Sequence, residues 1–273
     1  MQYTPNGPDI PDTLLHAHEE GNVVFFCGAG ISYPARLPTF KGLVHKVYEN
    51  LTENKSGQEE KAYDKEQYDT ALNLLANRIA GGRELIVSAI TKSLKPNYSR
   101  KNSKRTHEAL LELSKTRTGN TRLITTNFDR IFEDVILNQN SHINVYQAPL
   151  LPVPKNSWDG LIYLHGLLDA NPAPNGVTSK KNTDNLVVTS GDFGTAYLTE
   201  RWAARFISEL FRNYTVCFVG YSVNDTILRY MMDALAADKM IEGNRPDTYV
   251  FANYSKNSDK KNVFDEWDAK GII

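Results

Sequence analysis

The sequence predicts an α/β protein whose parallel sheet is covered by helices on both faces. Two features point there. Short apolar runs without polar alternation recur along the chain, as strands buried on both faces require. Between them lie stretches with helical amphipathic spacing. The first run, Asn22–Cys27, sits between Gly21 and Gly28 and follows a short helix over Pro11–Glu20. A second, Arg122–Thr125, leads at once into an amphipathic helix over Phe128–Leu137. Ile143–Tyr146 and Leu161–His165 read as two further strands, and Leu186–Thr189 as a short one. A long helix over Gly194–Arg212 follows, where Trp202, Phe206 and Leu210 recur every fourth residue as a core stripe. Thr215–Val219 is another apolar strand, with a Gly-Tyr-Ser turn and a helix over Asn224–Lys239 behind it, and Tyr249–Ala252 is the last candidate. Phe40–Asn50, Asp64–Ile79, Arg83–Leu94 and Lys104–Thr116 are helices with no strand between them, so they form a lobe inserted at about 40–116. Thr52–Lys61 reads as a mobile loop within that lobe, and Leu168–Asn185, with two prolines and few apolar anchors, as a long exposed one. No internal repeat is present. The expectation is a single Rossmann-like domain over 1–273.

Composition narrows the function classes. The chain has 273 residues, 41% of them hydrophobic and 23% charged, as in ordinary globular proteins. Lys and Arg number 31 against 32 Asp and Glu, so the basic excess of an electrostatic nucleic-acid or membrane-surface binder is missing. Arg100, Lys101, Lys104 and Arg105 form a local basic cluster, read as a solvated helix start. The two cysteines, Cys27 and Cys217, lie inside apolar runs; they read as buried thiols and cannot make a four-cysteine zinc site. No apolar run approaches the roughly eighteen residues of a membrane helix. Met1–Asp12 is polar and proline-rich, unlike a secretory signal. A soluble, cytoplasmic protein is expected.

In a parallel sheet, ligands bind at the carboxyl ends of the strands, and several ends here carry polar chemistry. Cys27-Gly-Ala-Gly-Ile-Ser32 has glycines that allow a tight turn and close approach to a pyrophosphate, although Tyr33 stands where the dinucleotide fingerprint has its third glycine. A plain strand-to-helix turn explains the same residues. Ile124-Thr-Thr-Asn-Phe-Asp129 offers hydroxyls, an amide and a carboxylate; helix capping by Asn127 or Thr126 would explain only some of them. Leu161-Ile-Tyr-Leu-His165-Gly166 places a histidine at a strand end beside a glycine. His16, His18, His45, His107 and His142 read as surface residues. Val219-Gly-Tyr-Ser222, with Asp225, repeats the glycine-plus-hydroxyl theme.

Together these segments resemble the sirtuin family. Gly28-Ala-Gly-Ile-Ser32 and Arg36-Leu-Pro-Thr-Phe-Lys41 follow its Gly-Ala-Gly-x-Ser and Gly-Ile-Pro-Asp-Phe-Arg elements; Thr125-Thr-Asn-Phe-Asp129 matches Thr-Gln-Asn-Ile-Asp; Leu164-His-Gly166 matches His-Gly; and Gly220-Tyr-Ser222 stands where sirtuins have Gly-Thr-Ser. The departures are Thr39 and Lys41, which replace the family's Asp and Arg, and the missing Cys-x-x-Cys pairs. Gly220-Tyr-Ser222 with Asp225, before a helix, looks like the zinc-free, sirtuin-like NAD hydrolases of bacterial antiphage defence. The resemblance implies cleavage of NAD, as substrate, to nicotinamide and ADP-ribose, with no metal. It implies that Asn127 positions the attacking water and that His165 is the base or ribose anchor. Gly28, Ala29, Gly30 and Ser32 would hold the pyrophosphate, Phe40 the nicotinamide end, and Thr126 and Asp129 would support the Asn127 pocket. Gly220, Ser222 and Asp225 would face the adenosine half. A homo-oligomer or an activating protein partner is also implied. Deacylation, ADP-ribosyl transfer and non-catalytic sensing of NAD or ADP-ribose are the alternatives.

Overall fold

Strands β1 (Val23–Cys27), β2 (Arg122–Thr125), β3 (Val145–Gln147), β4 (Gly160–Tyr163), β5 (Thr215–Val219) and β6 (Thr248–Phe251) form one sheet in the order β3-β4-β2-β1-β5-β6. Every neighbouring pair is parallel. The structure, a computed structural model, describes residues 1–5, 7–154, 158–169, 182–222, 230–231, 246–254 and 259–273. Apart from Tyr230 and Met231, the helix expected over Asn224–Lys239, Asp225 with it, lies outside those residues, as does most of the Leu168–Asn185 loop.

Period-two alternation divides the buried strands between two cores. Val23, Phe25, Leu123 and Leu161 point to one face, where α1 (Asp12–Glu19), α6 (Arg105–Leu113) and α7 (Ile131–Asn138) pack through Leu14, Leu110, Leu111 and Phe132. Val24, Phe26, Ile124 and Phe218 point to the other. There α8 (Ser190–Phe193), α9 (Trp202–Asn213) and α10 (Lys260–Asp268) contribute Phe193, Phe206, Ile207, Leu210 and Trp267. A third core gathers α2 (Phe40–Leu51), α3 (Gly57–Asp64), α4 (Tyr68–Arg78) and α5 (Gly82–Ser93) around Val44, Val47, Leu72, Leu75, Ile86 and Ile90. It meets the sheet through Phe128, Ile131, Leu186 and Val188.

Four local readings are corrected. The stretch read as a mobile loop contains the start of α3, closed by a capping box between Ser56 and Glu59. Leu186–Thr189 is buried but joins no strand ladder: Val187 N–H donates to the His165 carbonyl, and the Val188 and Thr189 amides donate to the Asp192 carboxylate. The long helix expected from Gly194 is instead α8, a π-helical turn over Gly194–Thr199 and α9, interrupted at Arg201, whose φ of 59° is left-handed. His107 is not on the surface but fully buried on α6. Among the described residues, no helix is long and apolar enough to cross a membrane.

Candidate functional site

From β1 the chain passes to β2 on one side of the sheet, while β5, on the other side of β1, is followed by its outer neighbour β6. The crevice at the carboxyl ends of β1 and β5 is therefore the topological switch point. The turns Gly28–Ser32 and Gly220–Ser222 both meet there. Gly28 N–H donates to the Val219 carbonyl and Gly30 N–H to the Gly220 carbonyl, each at 2.9 Å. The glycines have a packing reason: a Cβ on Gly30 would stand 2.8 Å from Gly220 O, and one on Gly220, at φ +78°, 2.7 Å from Ile31 N. Two amides expected to face a phosphate are thus already engaged. Ala29, at the start of a 3-10 helix over Ala29–Ala35, supplies the N–H for which no partner is found among the described residues.

A groove of about 730 Å³ opens over this switch point, lined by Ala29, Gly30, Phe40, Gly220 and Ser222 among others. A smaller cavity of about 40 Å³ is lined by Ala29, Ser32, Phe40, Thr126, Asn127 and Asp129. Ala29 and Phe40 belong to both, so they mark where the two spaces meet. Thr39, which replaces the sirtuin Asp, caps α2 by accepting from Gly42 N–H, so Phe40 is fixed as the helix's first residue.

A buried network sets the inner cavity. Asn127 Nδ2 donates to Gly28 O at 3.2 Å and to Ser32 Oγ at 3.1 Å. Ser32 Oγ donates to Asp129 Oδ2 at 2.8 Å, and Asp129 Oδ1 accepts from Ile131 N–H. Because the Gly28 carbonyl can only accept, the Asn127 amide has one orientation, and its Oδ1 is left for a ligand or water. Neither Asn127 nor Thr126 caps α7; Thr126 Oγ1 instead pairs with Tyr221 Oη at 2.6 Å. Burial raises the Asp129 carboxyl above its usual range, against the Ser32 and Ile131 donors that favour the anion.

Two participants are invisible in the local motifs. Tyr221 braces the Gly28 turn, where its ring would stand 2.9 Å from a Cβ on that residue. His107 Nε2 lies 3.4 Å from Ser32 Oγ, its ring 4.6 Å from Phe132, and burial pushes its imidazole down to about 4. A signal for it exists: His107, Leu110, Leu111 and Ser114 share one helical face.

His165 lines neither space. It is wholly buried, with Nε2 2.8 Å from Tyr197 Oη and Nδ1 without a partner among the described residues. Phe193 stands edge-on at 5.3 Å and is itself stacked at 4.7 Å on Tyr230, whose hydroxyl donates to Asp69. Burial pushes His165 down to about 3, well below the near-neutral value expected of a base, so it is held as neutral imidazole. Gly166 has φ +88° and packs on Asn185 and Leu186. Cys27 and Cys217 are free, buried thiols in the sheet core. Among the described residues, no group of three or more His, Cys, Asp or Glu is placed to hold a metal.

Fold and site together define an α/β protein with an open crevice at the switch point of its parallel sheet. A family model described as SIR2-like domain matches residues 121–273, more than half of the chain. The chain belongs to this SIR2-like domain family, whose chemistry is NAD-related. It is also 33% identical over 271 residues to "Uncharacterized protein y4cA" of Sinorhizobium fredii (strain NBRC 101917 / NGR234). That similarity covers 97% of this chain but 22% of the relative, so the chain spans about a fifth of the relative's length.

Proposed function

We propose that the chain hydrolyses NAD at the nicotinamide–ribose bond, releasing nicotinamide and ADP-ribose. The observation that carries this reading is the fixed Asn127 amide. Its Nδ2 is committed to Gly28 and Ser32, and its Oδ1 remains to orient a water beside a cavity large enough to hold one. Nicotinamide departs as a neutral pyridine, so no strong general acid is required. What the site must supply is a held ribose, stabilisation of an oxocarbenium-like charge and a placed nucleophile. The buried Asp129 carboxylate stabilises that charge, directly or through Ser32. His165, neutral and outside both spaces, is proposed to support the site from behind through its Tyr197 contact, without touching the ribose. The groove over Gly220 and Ser222 takes the adenosine half, and the Ala29 N–H one pyrophosphate oxygen.

Water as the acceptor follows from the cysteine content. Deacylases of this family place their acyl-lysine groove beside a zinc module built from four cysteines, and this chain has two, both inside the sheet. The resemblance to antiphage proteins makes NAD depletion in an infected cell the proposed biological role, in the cytoplasm, restrained until assembly or a protein partner releases it.

The test is nicotinamide release by wild type, Asn127→Ala, Asn127→Asp and His165→Gln. Both Asn127 variants are expected to lose at least about a hundredfold in kcat, the size of a lost positioning contact. Asp fails like Ala because its carboxylate would face the Gly28 carbonyl. His165→Gln is preferred to alanine, which would leave a cavity in the aromatic cluster. Wild-type turnover in Asn127→Asp would contradict the assignment.

A further inference from the structure

A second concave surface lies beside the site on the outer flank of the 3-10 helix. It has a volume of about 470 Å³ and is lined by Tyr33, Arg36, Leu37, Pro38, Lys46 and Arg100. Three cations face it and no carboxylate lines it. Arg36, Lys46 and Arg100 form no ion pair among the described residues. Their convergence is built by the backbone. Asn97 N–H donates to the Ala35 carbonyl at 2.9 Å, which pins the loop carrying Arg100 against the turn carrying Arg36. Arg36 occupies a left-handed conformation, φ 61°, where glycine would be least strained. Tyr33 is 67% exposed, a degree that leaves most of an aromatic side chain open to stacking.

We propose that this surface binds a nucleoside polyphosphate, with its phosphates on Arg36, Lys46 and Arg100 and its base on Tyr33. Phosphate matches three unpaired cations around one hollow, and guanidinium groups take phosphate oxygens in pairs. A small ligand is preferred to a nucleic-acid strand because the three cations line one shallow concavity. Of the basic run that follows, Lys104 is turned away, its Nζ 4.1 Å from the Tyr98 ring centre. Leu37 and Pro38 also line the cavity beside Asn127, so the ligand would share a wall with that cavity while occupying a separate site.

The experiment is calorimetric titration of the full chain with sodium tripolyphosphate and with ATP, at low and high salt. It reads binding, so it is independent of whether NAD is cleaved. Tripolyphosphate is expected to bind, more weakly as salt rises, and to lose about tenfold in affinity in Arg36→Gly and again in Arg100→Gln. Arg36→Gly also relieves the left-handed residue, so its thermal melt is expected at or above that of wild type. ATP should bind tighter than tripolyphosphate, and Tyr33→Ala should abolish only that difference. No binding, or equal affinity in the Arg36→Gly/Arg100→Gln double variant, would each overturn the proposal. So would tighter binding of a single-stranded oligonucleotide than of ATP through the same residues, which would make the surface a nucleic-acid contact.

Discussion

Asn127 holds its side chain through one backbone carbonyl and one hydroxyl, and that arrangement ranks the residues of the site. Ser32 accepts from Asn127 and donates to Asp129, so removing its hydroxyl frees two groups at once. Ser32→Ala is expected to lower kcat more than tenfold with a smaller change in KM, and to destabilise the fold by about 1–3 kcal/mol for the unpaired buried Asp129 oxygen. Steady-state kinetics beside a denaturant melt would check both; a change in KM alone would remove Ser32 from the positioning network. Local motifs made Ser32, Asn127 and Asp129 legible as candidates. Tyr221 and His107 are not: an aromatic inside a Gly-x-Ser turn and a histidine on a helix carry no local sign that the fold sets them against Thr126 and Ser32. Nor does the motif reveal that the Gly28 and Gly30 amides bond to the end of β5 and the turn after it, since that depends on which strand lies beside β1.

At the scale of elements, β1 and β5 read from the sequence nearly residue for residue, because strands buried on both faces are bounded only by what cannot be buried. Helix ends were harder. The Ser56-x-x-Glu59 capping box was present in a polar stretch with little apolar periodicity, and polarity outweighed it. Leu186–Thr189 has a strand's composition, but Asp192 takes the Val188 and Thr189 amides a ladder would need. The helical lobe is tied by Arg78, which donates to Glu59, to Glu53 and to the Asn54 carbonyl. Glu59 has a side chain 1% exposed, so Arg78→Met leaves a buried carboxylate without its guanidinium, held by the Ser56 amide, and should cost about 3 kcal/mol in a denaturant melt. A loss below about 1 kcal/mol would mean that the lobe's packing does not depend on the pair. The switch-point turn is equally specific. Gly220→Ala combines φ +78° with a 2.7 Å approach to Ile31 N and should cost about 1–3 kcal/mol, lowering the melting temperature.

Across the whole molecule, two buried imidazoles set an acid limit. His107 and His165 are pushed by burial from 6.5 to about 4 and about 3. A lowered folded-state value means that their contribution is fully present above the unfolded value and is lost as pH falls toward the folded ones. Stability should therefore decline between pH 6.5 and 4, by on the order of a few kcal/mol for the pair. His107→Leu should flatten that decline; an unchanged slope would mean that His107 is solvated. The parallel sheet and the ends of β1 and β5 then bring together what the sequence scatters from Gly28 to Ser222: an open groove, a small cavity and an amide of fixed orientation. The central claim is that water, placed by Asn127, takes the ribosyl group from nicotinamide. The most direct measurement is incubation of the chain with NAD in ¹⁸O-labelled water, with the products resolved by chromatography and mass spectrometry. Nicotinamide and ADP-ribose are expected in equal amounts, with one ¹⁸O at the anomeric hydroxyl and neither product from Asn127→Ala. ADP-ribose without the label, or no binding of NAD at all, would contradict that claim.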